Sequence, residues 1–202
     1  MSDFILRKEF GGIFMSKLKN NTKILAVGRT NAGKDTVSRE LASKYGLTVL
    51  SSYTDKEKRA DQTNGVEHIF LTKEEMDNLL ETEEIVAYTE AVGGRYCATK
   101  KQVEDCDIYI IDPEGIKYMK EKYSDKFNFL VIYIAATLAT RKQRSELRGD
   151  DKSKFEERCS KENNQFDEFE KSKGYDLCFV NECKYQSISE DIGNILEGMG
   201  LL

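Results

Sequence analysis

A glycine-bounded segment near the start of the chain constrains the fold more than any other feature. Residues 28–34 read GRTNAGK and fit the pattern GxxxxGK. The segment directly follows residues 23–27, a short β-rich run typical of a buried parallel strand, and precedes apolar residues at helical spacing. There the glycines permit a tight turn with inward-pointing N–H groups, and the helix adds its positive N-terminal end. The pattern therefore predicts a phosphate-binding loop.

This loop indicates a protein that uses ATP or GTP, because Lys34 is placed to reach the β- and γ-phosphates of a nucleotide. The Ser or Thr expected after the lysine is replaced by Asp35, and Thr36 follows. Asp35 has two interpretations: a ligand of Mg²⁺, directly or through water, or a residue that favours the first helical turn. The residues expected to bind ATP are Gly28, Arg29, Thr30, Asn31, Ala32, Gly33, Lys34, Asp35 and Thr36.

Strands and helices alternate along most of the chain. Further strands are predicted at residues 48–51, 107–111, 129–135 and 178–180, with helices between them, which favours an α/β fold with a parallel sheet. Residues 53–99 interrupt the alternation and predict a small α+β insertion, whose helix is opened by a capping box, Thr72 with Glu75. Helix starts are also predicted at Asp112, before Pro113, and at a second capping box, Ser187 with Glu190.

Composition excludes several classes of protein. The net charge of −5 disfavours a general nucleic-acid binder, and a single His disfavours His-based metal sites and triads. Five cysteines without a CxxC pair favour reduced thiols and a cytoplasmic location. No apolar run approaches the roughly 20 residues of a membrane span. Residues 1–21 are expected to form an N-terminal extension that need not be ordered.

From residue 51 onward the sequence resembles the guanylate kinase family, and the resemblance covers roughly residues 23–200. It is carried by residues 51–59 and 64–70, by Tyr96-Cys97-Ala98-Thr99, by Asp112-Pro113-Glu114-Gly115, and by the arginines of residues 144–158. The resemblance implies a P-loop NTPase fold of three layers, α/β/α. It also implies a core of residues 22–52 and 100–202, a monophosphate-binding insertion of residues 53–99, and a short lid at about 144–158.

The resemblance further implies the roles of individual residues. Lys56 stands where the family has an arginine, and His68 where it has a tyrosine; both can donate to a phosphate, although a lysine acts as a point charge. The residues expected to bind the acceptor nucleotide are Ser52, Lys56, Arg59, His68, Tyr96 and Asp112. The residues expected to act in catalysis, with Mg²⁺, are Lys34, Arg144, Arg148 and Arg158.

The base-recognition positions depart from the family. Ala87 replaces a glutamate that accepts hydrogen bonds from guanine, and Ala98 replaces a serine or threonine. The expected function is a nucleoside monophosphate kinase that transfers the γ-phosphoryl of ATP to GMP or dGMP. Two alternatives remain: a kinase for another nucleoside monophosphate, and a non-catalytic binding module, against which the intact phosphate loop argues. Small nucleotides are the expected partners, and monomer or homodimer remains open.

Overall fold

The computed structural model describes residues 17–58, 62–66, 68–91, 94–182 and 187–202. Its strands are β1 (Thr22–Val27), β2 (Tyr53–Thr54), β3 (Ile69–Phe70), β4 (Ile85–Ala91), β5 (Gly94–Thr99), β6 (Ile108–Ile110), β7 (Asn128–Ala135) and β8 (Leu177–Val180). Its helices are α1 (Lys34–Tyr45), α2 (Lys73–Thr82), α3 (Lys100–Asp105), α4 (Pro113–Tyr123), α5 (Leu138–Leu147), α6 (Lys152–Lys171) and α7 (Ile188–Gly198).

The central sheet has the strand order β6-β1-β7-β8, and all its strands run parallel. Every residue of β1 is buried, as expected of a strand covered on both faces. Ile24 and Ala26 pack beneath α1 and α7, whereas Leu25 and Val27 pack beneath α4 and α6. This alternation produces the three layers of helix, sheet and helix, so the predicted α/β/α fold is confirmed. The strand predicted at residues 48–51 is reduced to a single bridge from Val49 to Ile108.

The insertion forms a second, smaller sheet with the strand order β3-β2-β5-β4. Helix α2 begins at the predicted capping box, in which the Thr72 hydroxyl accepts from the Glu75 amide and the Glu75 carboxylate accepts from the Thr72 amide. The helix is fastened to the sheet by Arg95, which donates to Asp55 on one side and Asp77 on the other. The insertion is therefore a mixed α+β unit, as its sequence predicts.

The two other predicted helix starts have different outcomes. The Asp112 carboxylate accepts from the Gly115 amide at 2.7 Å, so the start of α4 is confirmed. The capping box predicted at Ser187 and Glu190 is not formed, although α7 does begin there. The Glu190 amide donates instead to the backbone carbonyl of Ser187 at 2.9 Å. That bond uses the donor that the Ser187 hydroxyl would otherwise have capped.

Residues 17–21, the last part of the expected N-terminal extension, pack against the base of the sheet. The amides of Lys17 and Leu18 donate to the Asp107 carboxylate, and the Lys19 amide donates to the Leu201 carbonyl. Leu18 is buried in the core between the sheet and α7. These residues therefore form part of the folded domain. In the part of the chain that the structure describes, no helix is long and apolar enough to cross a membrane.

Candidate active site

The loop between β1 and α1 has the backbone shape that its glycines predict. A side chain at Gly28 would place a Cβ 2.5 Å from the Ile134 carbonyl oxygen, so β7 lies too close for any other residue. Gly33 has a φ of 92° and Asn31 a φ of 61°, both in the left-handed region. The loop follows the carboxyl end of β1, the edge at which open α/β sheets bind their ligands.

The loop carbonyls are held from outside by two arginines and one asparagine. Arg141 Nη1 donates to the Thr30 carbonyl at 3.3 Å. Arg144 Nη1 and Asn181 Nδ2 donate to the Ala32 carbonyl at 3.0 and 2.8 Å. The C=O and N–H of one peptide unit point in opposite directions, because the unit is planar and trans. Holding the carbonyls outward therefore turns the following amides inward.

The inward-facing amides are those of Asn31 and Gly33, and the amide of Lys34 follows at the start of α1. Within the described residues these three N–H groups have no hydrogen-bond acceptor. Unpaired amides at a helix N-terminus form an anion-binding site, because the helix dipole adds positive charge there. The loop can therefore hold the phosphates of a nucleotide.

Arg29, one of the predicted ATP-binding residues, has a side chain that is committed to protein groups outside the loop. Its Nε donates to Glu170 at 2.8 Å and its Nη2 to Asp167 at 2.6 Å, both on α6. The guanidinium also lies over the Phe166 ring, 5.2 Å from its centroid. The hydrogen bond to Glu170 raises the pKa of Arg29 above its ordinary range. Arg29 thus anchors the loop to α6, and only its backbone remains for a ligand.

Lys34 and Asp35 form the charged floor of the site. Lys34 Nζ lies 3.7 Å from Asp35 Oδ2, and the Asp35 side chain is 58% exposed. Desolvation raises the pKa of Asp35. The positive charges of Lys34, Arg39 and His68 outweigh desolvation and hold the pKa below its usual range. The result is an ionised, accessible carboxylate next to the phosphate loop.

An ionised carboxylate fits Mg²⁺, which in phosphoryl-transfer sites takes one or two carboxylates together with phosphates and water. Among the described residues, no group of three or more His, Cys, Asp or Glu side chains is arranged to hold a metal ion. The alternative interpretation is that Asp35 only favours the first turn of α1.

Most of the residues expected to bind the acceptor lie together. The Ser52 hydroxyl lies 3.0 Å from His68 Nδ1. The His68 ring meets the Tyr96 ring edge-on, with 5.3 Å between centroids, and Lys56 Nζ lies 5.9 Å from the Tyr96 centroid. These contacts define an acceptor cluster of Ser52, Lys56, His68 and Tyr96.

Two further residues expected to bind the acceptor lie apart from this cluster. Arg59 lies outside the described residues. Asp112 follows β6, at the same edge of the sheet as the phosphate loop, and one of its carboxylate oxygens caps α4. Asp112 is therefore placed near the site, but the structure gives it the role of a helix cap.

The three arginines expected to act in catalysis differ in position. Arg144 lies at the loop and donates to the Ala32 carbonyl and, at 2.8 Å, to the Asn181 carbonyl. Arg148 donates to Asn31 Oδ1 at 2.7 Å and to Asp150. Arg158, partly exposed on α6, makes no hydrogen bond or ion pair within the described part of the chain. The structure thus brings Arg144 and Arg148 to the loop, whereas within the described residues it shows no contact of Arg158 with the loop.

Three residues that hold the loop are absent from the site predicted from the sequence: Arg141, Asn181 and Glu162. Asn181 directly follows β8, and the carboxyl ends of parallel strands share one edge, so its position was a usable signal. Glu162 accepts from the Thr30 amide, and its spacing of four residues from Arg158 puts both on one face of α6. Neither Asn181 nor Glu162 belongs to a local motif.

Comparison with known proteins identifies the family. The guanylate kinase family model matches residues 20–198. The chain belongs to the guanylate kinase family. A guanylate kinase of Clostridium perfringens (strain SM101 / Type A) is 31% identical over 145 residues, which is 67% of this chain and 66% of that relative. A guanylate kinase of Clostridioides difficile (strain 630) is 26% identical over 186 residues, 88% of each chain.

A solved structure shows that the guanylate kinase fold is shared. The crystal structure of guanylate kinase from Anaplasma phagocytophilum matches with a TM-score of 0.63 at 21% identity, and covers 94% of this chain and 90% of its own. In the present chain, Ala87 of β4 lies directly opposite Ala98 of β5, and Ala98 is fully buried. Two methyl groups thus occupy positions at which the resemblance implies polar contacts to the acceptor base.

Proposed function

We propose that the protein is a nucleoside monophosphate kinase that transfers the γ-phosphoryl group of ATP to GMP or dGMP. The observation that carries this proposal is the set of loop amides next to Lys34 that have no acceptor within the described residues, in a chain that also brings Ser52 and His68 together. Membership of the guanylate kinase family supports the same activity. The free thiols of Cys97, Cys106, Cys159 and Cys178 support a cytoplasmic location.

The donor side of the reaction rests on the phosphate loop. The amides of Asn31, Gly33 and Lys34 hold the β-phosphate, and the Lys34 ammonium reaches the γ-phosphate. When bound, Mg²⁺ neutralises the charge shared between these phosphates, and Asp35 is the residue that would hold it. Phosphoryl transfer requires positioning and charge stabilisation more than a covalent group or a strong base, so a site without a catalytic triad is sufficient.

The acceptor side rests on the insertion and the lid. Lys56, the Ser52 hydroxyl and His68 hold the phosphate of the acceptor nucleotide, with Arg59 completing the set. Arg148 and Arg158 close over the group in transfer, where charge develops on the equatorial oxygens. The core, the insertion of residues 53–99 and the lid at about 144–158 act as separate bodies, and their closure excludes water that would otherwise be phosphorylated.

A second candidate is a kinase for a different nucleoside monophosphate. The methyl groups of Ala87 and Ala98 favour it, because they cannot accept hydrogen bonds from the N–H edge of guanine. A site that reads a base by hydrogen bonds loses discrimination when a partner is removed. The two candidates share the donor site and the phosphate contacts, and they differ only in the base pocket.

One experiment separates the candidates. Coupled measurement of ADP release with ATP and Mg²⁺ ranks the ribo- and deoxyribonucleoside monophosphates one at a time. The proposal expects the highest kcat/KM with GMP or dGMP. Higher kcat/KM with another monophosphate identifies the second candidate. Absence of turnover with every monophosphate, in a protein that is folded and binds nucleotide, overturns the kinase proposal and identifies a binding module.

A further inference from the structure

A buried ion pair holds the first half of the phosphate loop. Glu162 Oε2 accepts from the Thr30 amide at 2.8 Å and from the Thr30 hydroxyl at 2.9 Å. The other carboxylate oxygen, Oε1, accepts from Arg141 Nη1 at 2.9 Å. Arg141 is 5% exposed and Glu162 8% exposed. The same Nη1 also donates to the Thr30 carbonyl, so one ion pair grips Thr30 through both its N–H and its C=O.

This grip has a directional consequence. The Thr30 carbonyl and the Asn31 amide belong to one peptide unit and point in opposite directions. Arg141 draws the carbonyl toward α5 and α6, which directs the Asn31 amide into the hollow of the loop. Glu162 prevents the Thr30 backbone from rotating, because its carboxylate accepts a hydrogen bond from the Thr30 N–H, which belongs to the preceding peptide unit. The ion pair thus fixes the first of the amides available to phosphate.

Stability alone does not account for the pair. Removing two charges from water is costly, and a buried pair can often be replaced by apolar residues of similar size without loss of stability. The cost is not fully offset here, since the buried Arg141 Nε has no hydrogen-bond partner within the described residues. The pair therefore fits a role in setting loop geometry better than a role in holding the domain together.

We propose that Glu162, held in place by Arg141, is a positioning residue for the ATP site. It acts through Thr30: it keeps the loop in the shape that binds the phosphates of ATP, and it contacts no substrate itself. The proposal rests on the proposed function, because it assumes that ATP is the ligand of the loop. Glu162 and Arg158 both lie on α6. The helix that positions the phosphate loop therefore also carries one of the arginines expected to act in catalysis.

The test separates positioning from stability. Glu162→Ala is expected to raise the Kd for ATP about tenfold, which is the size of one buried charged hydrogen bond. Because it leaves Arg141 unpaired, it also lowers the melting temperature. The double variant Arg141→Met/Glu162→Met removes both charges and restores the melting temperature. It leaves Thr30 without its acceptor, so the Kd for ATP stays raised. Glu168→Ala, an exposed position on the same helix, is the matched control.

Calorimetry with ATP gives the Kd without turnover, and kinetics give the KM for the acceptor nucleotide. The proposal expects a raised Kd for ATP and an acceptor KM unchanged within about twofold. A double variant that binds ATP as tightly as the wild type would show that the pair is only structural and would overturn the proposal. Wild-type protein that does not bind ATP would instead overturn the proposed function, and this inference with it.

Hydrogen exchange supplies a readout that does not depend on ATP. The Thr30 amide is protected in the wild type by its bond to Glu162, and it should exchange faster in Glu162→Ala and in the double variant. Exchange at Thr30 should be unchanged in Glu168→Ala. Equal protection of Thr30 in the wild type and the double variant would contradict the grip itself, whatever the ligand.

Discussion

The guanidinium of Arg148 donates to the side-chain oxygen of Asn31 across 2.7 Å and joins the lid loop to the phosphate loop. The same guanidinium is paired with Asp150, whose pKa is set by two opposing effects. Desolvation raises it, but the bonds from Arg148 outweigh desolvation and lower it. Arg148 is therefore held at the edge of the phosphate site by groups that a γ-phosphate could replace.

Arg148→Ala should lower kcat by roughly a hundredfold or more, because it removes a charge from the group in transfer. The KM for ATP should change far less than kcat. Lys142→Ala, which removes an exposed charge from α5, the helix that ends just before Arg148, is the control and should retain wild-type kinetics. An Arg148→Ala enzyme with unchanged kcat would assign Arg148 to the lid fold alone.

Lys34→Ala should reduce phosphoryl transfer by about a thousandfold or more, since it removes the ammonium that stabilises the β- and γ-phosphates. ADP release measures the loss, and circular dichroism shows that the variant is folded. Lys44→Ala, near the other end of α1, is the matched control. Substantial activity in Lys34→Ala would remove the claim that this loop binds the donor.

Substitution of Asp35 distinguishes its two interpretations. Asp35→Ala should raise the Mg²⁺ concentration for half-maximal activity roughly tenfold, because it removes an oxygen ligand. Asp35→Ser restores the residue type expected after the lysine and should stay near the wild-type requirement. The measurement is a Mg²⁺ titration at fixed ATP. If both variants keep the wild-type Mg²⁺ dependence, Asp35 serves only the first turn of α1.

Ala87→Glu should raise kcat/KM for GMP relative to the other monophosphates by about tenfold, because it restores a hydrogen-bond acceptor for the guanine N–H edge. Ala87→Leu adds comparable bulk without a hydrogen-bond acceptor and is the control for crowding. Both variants are compared in the acceptor screen. An unchanged ranking in Ala87→Glu would show that this position on β4 does not select the base.

The Asp55–Arg95 pair predicts how stability depends on pH. Asp55 is 5% exposed on its side chain, and it accepts from the Arg95 amide and Nε, each at 2.6 Å. Desolvation raises the pKa of Asp55, but these bonds outweigh desolvation and hold the pKa below its ordinary value. Because the folded pKa lies below the unfolded one, the stabilisation is complete above about pH 4 and is lost as pH falls through the folded pKa.

Asp55→Asn should therefore lower the melting temperature at pH 7 and have a smaller effect near pH 3. Thermal unfolding across this range measures both. Asp125→Asn replaces a carboxylate at an exposed position, and its melting temperature should depend on pH as that of the wild type does. If the melting temperature of Asp55→Asn depends on pH in the same way as that of the wild type, the charge of Asp55 does not contribute to stability through its pair with Arg95.

The shape of the loop between β1 and α1 could be predicted because the residues that determine it are close together in the sequence. Gly28, Gly33 and Lys34 lie within seven residues, and the strand before them and the helix after them are visible in the apolar pattern. Glu162 and Asn181 could not be assigned in the same way. They lie about 130 and 150 residues beyond the loop, and only the packing of α6 and β8 against β7 brings them to it.

Helix caps show the same limit on a smaller scale. Thr72 and Asp112 cap as their sequence motifs predict, because the extended backbone at each position aims the side chain at the first turn. Ser187 has an equally good motif, but its ψ of 81° lies outside that region. A motif states which bonds are available, and the backbone conformation decides which of them form.

The outward grip on the loop carbonyls also determines when conformational entropy is lost. Fixing the backbone costs roughly 1–2 kcal/mol for each residue. Arg141, Arg144 and Asn181 order Thr30 and Ala32 when the chain folds, without any nucleotide. A nucleotide that enters this site meets amides already set in direction, so its binding free energy is not consumed in ordering them. If the loop binds phosphate as proposed, it does so as a receptor that is already ordered, and any motion on binding falls to other parts of the site.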